Sequence, residues 1–285
     1  ERGLPCSCNG SYIEDTTDSI LLKSAEIGMM TKFGAGTSAY LGAIRHRGAP
    51  ISAGGASNGV CPFKELIDSY VETSFGEALR ENGISQFFDI FDTTTNVISQ
   101  SNVRRGSMAA YLPIDHPDIL EFLKIKSEGH KIQNLSIGVC ISDEWMEGLL
   151  NKERDKLEIW AQVLKKRAES GYPYIFFSGT ANKNAPQVYK DKGLTIWASN
   201  LCAEIALAMD KYNSFVCNLA SMNAEHFDEW KDTDAVFILM CLLDAVNTEY
   251  INKTENIPFM EASHKFCKEQ RAVGLGRSEE RRVGK

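Results

Sequence analysis

The segment Ser199-Asn200-Leu201-Cys202-Ala203-Glu204-Ile205 places polar or reactive side chains at alternate positions. In an extended segment successive side chains point to opposite faces, so Asn200, Cys202 and Glu204 are predicted to share one face. The other face would hold the apolar anchors Leu201, Ala203 and Ile205. One side would then present an amide, a thiol and a carboxylate to a common space. On composition alone, an inert buried cysteine beside two solvated residues is the commoner arrangement.

The composition is that of a soluble globular protein, with 43% hydrophobic and 24% charged residues in 285 positions. A net charge of -7 argues against a surface that coats nucleic acid. No apolar run approaches the roughly 20 residues of a membrane span, so no membrane contact is predicted. The start, Glu1-Arg2-Gly3, has no signal peptide and no initiator Met, and we expect an excerpt of a longer chain.

Eight cysteines are scattered along the chain, too sparsely for a disulfide scaffold. No Cys-x-x-Cys pair offers a zinc site, and no metal ligands are predicted. The cysteine usage predicts a reducing cytoplasm, where any disulfide would be transient and catalytic.

Strand patterns alternate with helix patterns along the chain. Strands are predicted at 108–112, 135–142, 174–177 and 214–219. One helix is predicted to begin within residues 15–18 and to end at about residue 30. Further helices are predicted over 118–126, 155–170 and 232–248. This alternation predicts an α/β architecture with largely parallel pairing.

Five blocks of sequence, in order, carry a resemblance to a known family. Four of them are Ser7-Cys8 with 15–20, 34–36 with 44–50, 103–107 with 111–119, and 216–221. Together with Ser199–Ile205, which looks like a finger-loop signature, they resemble the large catalytic (alpha) subunit of class I ribonucleotide reductases, phage and bacterial forms included.

The resemblance implies part of that family's ten-stranded α/β barrel, with the Cys202 loop threading into its centre. Residues 1–276 would form a partial catalytic barrel domain, with a helical insertion at 64–91 and a non-native tail at 277–285. The family's ATP-cone domain, later phosphate loop, radical-relay tyrosines and C-terminal thiol tail have no match here. We therefore expect the fragment to be inactive alone.

The activity implied is radical-based reduction of ribonucleoside diphosphates to 2′-deoxyribonucleoside diphosphates. By similarity, Cys202 would become a thiyl radical that takes the 3′-hydrogen of the substrate. Glu204 would accept the 3′-hydroxyl proton, and Asn200 would hold the ribose hydroxyls. Cys8 and Cys217 would deliver two electrons and close to a disulfide.

The redox partner of Cys217 has two candidates at this stage. Cys8 is favoured because it follows Ser7 and keeps the family spacing to Asp15, and Cys6 stays open as the alternative. Either pairing needs a fold that brings the two Cα atoms within roughly 7 Å.

Small residues are expected next to the substrate, where side chains must not obstruct the sugar and diphosphate. The resemblance carries this role to Ser7, Ala35 and Gly36.

The effector site of the family binds a deoxynucleoside triphosphate or ATP at a dimer interface. The matching positions are Asp15, Thr16 and Arg45, with arginine as the phosphate-binding group. The alternatives are a helix cap for Asp15 and a solvated face for Arg45. The loop of residues 127–133 resembles the connector that reports effector identity to the substrate site.

The partners implied are a homodimer, a small subunit with a dimetal radical cofactor, and thioredoxin or glutaredoxin as reductant. The cobalamin-dependent class is a near alternative, disfavoured mildly by Asn-Leu-Cys where Asn-Pro-Cys is expected. A nicotinamide-dependent dehydrogenase built on Gly34-x-Gly36 is a weak rival, because no convincing strand precedes that turn. A non-catalytic, nucleotide-binding part of a split or truncated subunit is the remaining alternative.

Overall fold

The computed structural model describes residues 3–50, 56–58, 107–130, 132–133 and 135–278. The predicted insertion at 64–91 and most of the predicted tail, 279–285, lie outside the described residues.

The described strands, in chain order, are β1 (Cys8–Tyr12), β2 (Gly36–Tyr40), β3 (Arg47–Pro50), β4 (Ala56–Asn58), β5 (Met108–Pro113), β6 (Ser136–Cys140), β7 (Tyr174–Phe176), β8 (Phe215–Cys217), β9 (Leu219–Asn223) and β10 (Gly274–Ser278). Six of them form one sheet in the order β7-β6-β5-β2-β1-β8. Its first five strands pair in parallel, and β8 pairs antiparallel with β1. The predicted α/β architecture with largely parallel pairing is confirmed.

The described helices are α1 (Thr17–Lys32), α2 (Ile119–Phe122), α3 (Asp143–Leu150), α4 (Arg154–Ser170), α5 (Ser178–Lys183), α6 (Gln187–Asp191), α7 (Phe227–Trp230), α8 (Ala235–Thr254) and α9 (Glu261–Gln270). Helix α4 ends where predicted, because Gly171 takes the left-handed conformation at φ 75°. Helix α2 is shorter than the predicted 118–126, and the backbone has turned by Lys126, at φ 61°.

Two hydrophobic clusters cover opposite faces of the sheet, as the alternation of side chains along β5 makes clear. Met108, Ala110 and Leu112 belong to one cluster, and Ala109 and Tyr111 belong to the other. Both faces of β5 are buried, which is typical of a parallel strand covered on each side. The second cluster also contains Cys6, Cys217 and Phe215, so these two cysteines lie on that side of the sheet.

Two smaller pairings extend the fold beyond the main sheet. The predicted strand at 214–219 is divided into β8 and β9, and β9 pairs in parallel with β10. β10 includes Arg277 and Ser278, so backbone pairing continues into the segment that we assigned to a tail. β3 and β4 form an antiparallel pair.

Helix α8 differs from the expectation that no apolar segment approaches the length of a membrane span. By length and composition alone it is apolar enough to cross a membrane. Its inner side, which includes Leu243 and Tyr250, is buried, but its exposed apolar residues are Val236, Phe237, Ile238 and Leu242. A helix that packs against another part of a larger fold has the same character, so this feature is weak evidence for a membrane location.

Candidate active site

Strand pairing places Cys8 directly opposite Cys217. The ladder between β1 and β8 aligns Cys8 with Cys217, Asn9 with Val216, and Gly10 with Phe215. Directly opposed residues of an antiparallel ladder have Cα atoms about 4.5–5.5 Å apart, within the range that a disulfide spans. Both thiols are free in this structure. The two cysteines are thus positioned to form and break a disulfide without rearranging the sheet.

Cys6 lies outside this ladder. It precedes β1 by two residues and is 4% exposed, in the cluster that also contains Cys267. Burial raises the pKa of the Cys6 thiol to about 12. Of the two candidates for pairing with Cys217, only Cys8 is aligned with it in the sheet.

The Ser199–Ile205 segment is a tight turn, and the expectation of an extended segment is wrong. The amide N–H of Ala203 donates to the carbonyl oxygen of Asn200 at 3.2 Å, and Ala203 has a left-handed φ of 64°. The Asn200 side-chain oxygen accepts from the amide N–H groups of Glu204 and Ile205, at 3.0 and 3.1 Å. Asn200 is therefore buried as the centre of the turn, whereas Cys202 and Glu204 are exposed.

The turn is joined to the rest of the site by two further hydrogen bonds. Asn200 Nδ2 donates to Cys8 Sγ at 3.1 Å, which brings the turn against the start of β1. The hydroxyl of Tyr111 donates to the Asn200 carbonyl oxygen at 2.7 Å. Asn200 thus connects the Cys202 turn to β1 and to β5.

Tyr111 is a residue of the site that the sequence analysis missed. A methyl group on Gly138 would lie 2.4 Å from the Tyr111 ring, so the absence of a side chain at Gly138 makes room for this tyrosine. Strand β6 alternates small residues, including Ser136 and Cys140, with bulky ones, which leaves space beside its small face. At Gly138 that space holds the Tyr111 side chain of the neighbouring strand, which the sequence does not signal without the strand register.

The thiols of the site are shifted toward their protonated forms. Burial, then Cys8 and Glu204, raise the pKa of Cys217 to about 12. Burial also raises the pKa of Cys8, and the hydrogen bond from Asn200 partly offsets that effect. Burial and the Glu204 carboxylate raise the pKa of Cys202. At neutral pH the three sulfurs therefore carry hydrogen, as donors of hydrogen atoms or protons must.

The predicted substrate residues lie at the same edge of the sheet. The Gly36 amide N–H donates to the Ser7 carbonyl oxygen at 2.8 Å, and Gly36 is aligned with Cys8. A methyl group on Gly36 would lie 2.7 Å from a terminal methyl group of Leu201, so this glycine also admits the Cys202 turn. Ala35 is buried beside them, whereas Ser7 is exposed.

The predicted effector residues form a second group, beyond the opposite end of β1. Asp15 and Arg45 form an ion pair, with side chains 30% and 38% exposed. The residue that caps α1 is Thr16, whose Oγ1 accepts from the Ser19 amide N–H at 3.2 Å. The alternative of a helix cap for Asp15 is therefore wrong, and the carboxylate of Asp15 contacts Arg45 instead.

Comparison with known families gives a match over most of the chain. The family model described as "Ribonucleotide reductase, barrel domain" matches residues 6–80, 74–157 and 151–280. The chain belongs to the ribonucleotide reductase family. Its six-stranded sheet accordingly fits part of the ribonucleotide reductase barrel, and the nicotinamide dehydrogenase alternative is wrong.

Several ribonucleotide reductase subunits resemble the chain over nearly all of its length. A protein of frog virus 3 assigned as a ribonucleoside-diphosphate reductase large subunit is 30% identical, over 96% of this chain and 47% of its own length. The large subunit of invertebrate iridescent virus 3 is 24% identical, over 97% of this chain and 50% of its own. The solved structure of the Actinobacillus ureae class Id ribonucleotide reductase alpha subunit superposes with a TM-score of 0.81 at 42% identity, and covers 97% of this chain and 47% of that one. The chain spans about half the length of these relatives.

Because the chain belongs to the reductase family, an activity assay can test whether the Tyr111 hydroxyl supports the Cys202 turn. The Tyr111→Phe variant of the full-length protein leaves the Asn200 carbonyl oxygen without this donor, at a cost of about 1–3 kcal/mol to the turn. We expect nucleotide reduction to fall by about five- to tenfold, with a much smaller change in effector affinity, because the Tyr111 hydroxyl contacts the Cys202 turn, whereas Asp15 pairs with Arg45. The matched control is Tyr189→Phe, which removes a hydroxyl that donates to Gln270 Oε1 at 3.1 Å. Equal turnover of both variants and the wild type would show that the turn does not depend on Tyr111.

Proposed function

We propose that the full-length protein containing this chain reduces ribonucleoside diphosphates to 2′-deoxyribonucleoside diphosphates, with Cys202 as the radical thiol. One observation carries the proposal: Cys8 faces Cys217 across a strand ladder, and the turn that presents Cys202 is hydrogen-bonded to Cys8. A sulfur that can become a radical and a dithiol that can supply two electrons thus lie in one site.

The radical role of Cys202 follows from the chemistry of the substrate. Hydroxide is a poor leaving group from a saturated carbon, so the ribose must first be activated. A thiyl radical on Cys202 takes the 3′-hydrogen, which forms an S–H bond and leaves a radical on C3′. Glu204 is two residues away and is also exposed, and its carboxylate accepts the 3′-hydroxyl proton.

Cys8 and Cys217 complete the electron balance. One of their thiols protonates the departing 2′-hydroxyl, which leaves as water. The dithiol supplies two electrons and its second hydrogen to the sugar, and the S–S bond forms between the two sulfurs. The raised pKa values of both thiols suit this role, because each sulfur keeps its hydrogen until the leaving group needs it. Cys202 finally returns its hydrogen to C3′, and Glu204 returns the proton to the 3′-oxygen.

Substrate placement would use the edge of the sheet where β1 and β2 begin. The exposed Ser7 and the backbone at Ala35 and Gly36 leave room for sugar and diphosphate. The oxygen of the Asn200 amide is occupied within the turn, so a contact with the ribose hydroxyls would come from its Nδ2 group.

The remaining partners are proposed from the family and from the second residue group. Asp15, Thr16 and Arg45 would bind a deoxynucleoside triphosphate or ATP effector at the interface of a homodimer. The dimetal radical cofactor would be held by a separate small subunit and would supply the radical. Thioredoxin or glutaredoxin would reduce the disulfide in the cytoplasm, where free thiols such as those described here persist.

The test is direct assay of the full-length protein with a radical-generating small subunit, a ribonucleoside diphosphate, an effector and dithiothreitol. We expect the matching deoxyribonucleoside diphosphate as product, and none when the small subunit is omitted. Nucleotide binding without any product would instead support the alternative that the chain is a non-catalytic, nucleotide-binding part of a split or truncated subunit.

A further inference from the structure

A cavity of about 180 Å³ lies between the two segments that flank the Cys202 turn, residues 193–197 before it and residues 208–213 after it. The Met209 amide N–H donates to the Thr195 carbonyl oxygen at 3.3 Å, which joins the two segments. Neither the proposed reaction nor the proposed effector group uses this cavity. Its lining includes Thr195, Trp197, Met209, Asp210, Asn213 and Gln270.

One wall of the cavity is aromatic and is held by the main sheet. Trp197 is half-buried, and the centre of its ring lies 5.4 Å from that of Tyr12 and 5.2 Å from that of Tyr40. The Tyr12 and Tyr40 rings are themselves stacked, with centres 5.6 Å apart. Because these tyrosines are aligned at the ends of β1 and β2, the sheet fixes the orientation of the indole. The face of such a ring attracts cations.

Asp210 carries the only charged side chain among the described residues that line the cavity. Its carboxylate accepts from the Tyr212 amide N–H at 2.7 Å, and both of its oxygens accept from Asn213 Nδ2 at 3.0 Å. Neutral donors therefore position it. The neighbouring Lys211 pairs with Glu14 instead, at 3.3 Å, and none of the described residues forms an ion pair with Asp210. The described part of the chain thus leaves its negative charge uncompensated at the cavity wall.

An amide oxygen next to this carboxylate also lacks a donor. Asn213 is 8% exposed, and its Nδ2 group is used by Asp210. Its Oδ1 atom is buried and has no hydrogen-bond partner among the described residues. A buried acceptor without a donor is unfavourable. A ligand that brings N–H groups would therefore suit this wall better than one that brings only acceptors.

The three groups together define the chemistry of a ligand. A carboxylate, an amide oxygen and an aromatic ring all favour a cation, and a primary ammonium group offers three N–H donors. The side chains of Met209 and Trp197 offer apolar surface to an alkyl chain. Asp210 would repel an anion such as a nucleotide phosphate, and the net charge of -7 attracts cations to the protein as a whole.

We propose that this cavity binds an alkylammonium ligand, of the class of small aliphatic diamines, whose ammonium group pairs with Asp210 and whose chain packs on Trp197. A ligand bound there contacts both segments that flank the Cys202 turn and holds them together. The inference goes beyond the proposed reductase function and does not depend on it, because binding can be measured without turnover.

The test is calorimetric titration of the full-length protein with 1,4-diaminobutane, at constant ionic strength. We expect saturable binding in the wild type. Asp210→Asn removes the charge with little change in shape, and binding should weaken at least about tenfold, the effect of losing a hydrogen bond to a charged group. 1,4-Butanediol has the same chain without the charge and should bind far more weakly. Equally tight binding of the diol, or no saturable binding of the diamine, would overturn the inference.

The matched control is Asp191→Asn, which changes the net charge by the same amount. Asp191 is exposed, accepts from Gln187 Nε2 at 2.8 Å and does not line the cavity, so this variant should bind the diamine as the wild type does. Trp197→Leu keeps the carboxylate and removes the aromatic face, and it should bind about three- to tenfold more weakly, the effect of losing a cation–π contact. Wild-type affinity in both Asp210→Asn and Trp197→Leu would place the amine elsewhere and overturn the inference.

Hydrogen exchange of the wild-type protein needs no variant, and it carries the test if Asp210→Asn does not fold. The diamine should slow amide exchange in residues 193–197 and 208–213, and not in α4, which does not line the cavity. Protection confined to other parts of the chain would overturn the inference. A wild-type protein that binds the diamine in this cavity but reduces no nucleotide would overturn the proposed function and leave this inference intact.

Discussion

Replacing Cys202 with serine in the full-length protein is expected to abolish deoxyribonucleotide formation. A serine hydroxyl has nearly the shape of the thiol, but its O–H bond is far stronger than the S–H bond, so the hydroxyl cannot serve as the hydrogen-abstracting radical. The expected loss is at least about 10³-fold in kcat, the scale seen when the group that forms the reactive intermediate is removed. Product formation in the reconstituted assay measures it.

The same variant should fold normally, because the Cys202 side chain does not hold its own turn. The turn is closed by the Asn200 amide and by the Ser199 hydroxyl, which donates to the Ile205 carbonyl oxygen at 2.6 Å. The unfolding temperature of Cys202→Ser should therefore stay within about 2 °C of wild type. Cys241→Ser is the matched control, since Cys241 is the other exposed thiol among the described residues. Substantial turnover by Cys202→Ser would show that the radical lies on another residue.

The positions of several strands could be predicted from the sequence, but their pairing could not. Alternating apolar patterns located β5 and β6 to within about two residues, and they predicted parallel neighbours. Pairing β1 with β8 is different, because the two strands are separated by most of the chain and no local pattern specifies their register. The alignment of Cys8 with Cys217 is evident only in the assembled sheet.

The shape of the Cys202 segment was mispredicted for a specific physical reason. Its alternating polar and apolar residues resemble a strand, but asparagine side chains also hydrogen-bond to nearby backbone amides and so compete with extended structure. Here the Asn200 oxygen takes the amide N–H groups of Glu204 and Ile205. Ala203 adopts a left-handed φ, which composition does not signal. Cys202 and Glu204 are nevertheless both exposed, as they would have been on the open face of a strand.

A substrate-dependent disulfide between Cys8 and Cys217 is the second result expected to be large. We would reduce the full-length protein, remove the reductant, and add a ribonucleoside diphosphate, an effector and the radical-generating subunit. Peptide mass spectrometry should then find the Cys8–Cys217 link in most active sites after one turnover, because the two residues are already opposed in the sheet. Without substrate, or in Cys202→Ser, the link should be absent.

Cys6→Ser is the control for the choice of cysteine, and it should form the same link, because Cys6 lies outside the ladder. A Cys6–Cys217 link in wild type would show that the assignment of the redox cysteine is wrong by two residues. Product formation with neither link would remove the redox role from Cys217.

Re-reduction of this disulfide should begin at Cys8. Cys8 is half-buried, whereas Cys217 is 7% exposed, so an external thiolate reaches the Cys8 sulfur first. Its attack forms a mixed disulfide on Cys8 and releases the Cys217 thiolate. Because burial, Cys8 and Glu204 raise the pKa of Cys217 to about 12, that thiolate is protonated once formed and does not attack the mixed disulfide in return. The mixed disulfide should therefore accumulate on Cys8 in Cys217→Ser treated with oxidised glutathione, and Cys8→Ser should give much less adduct on Cys217. Equal labelling of the two sulfurs would mean that burial does not direct the exchange.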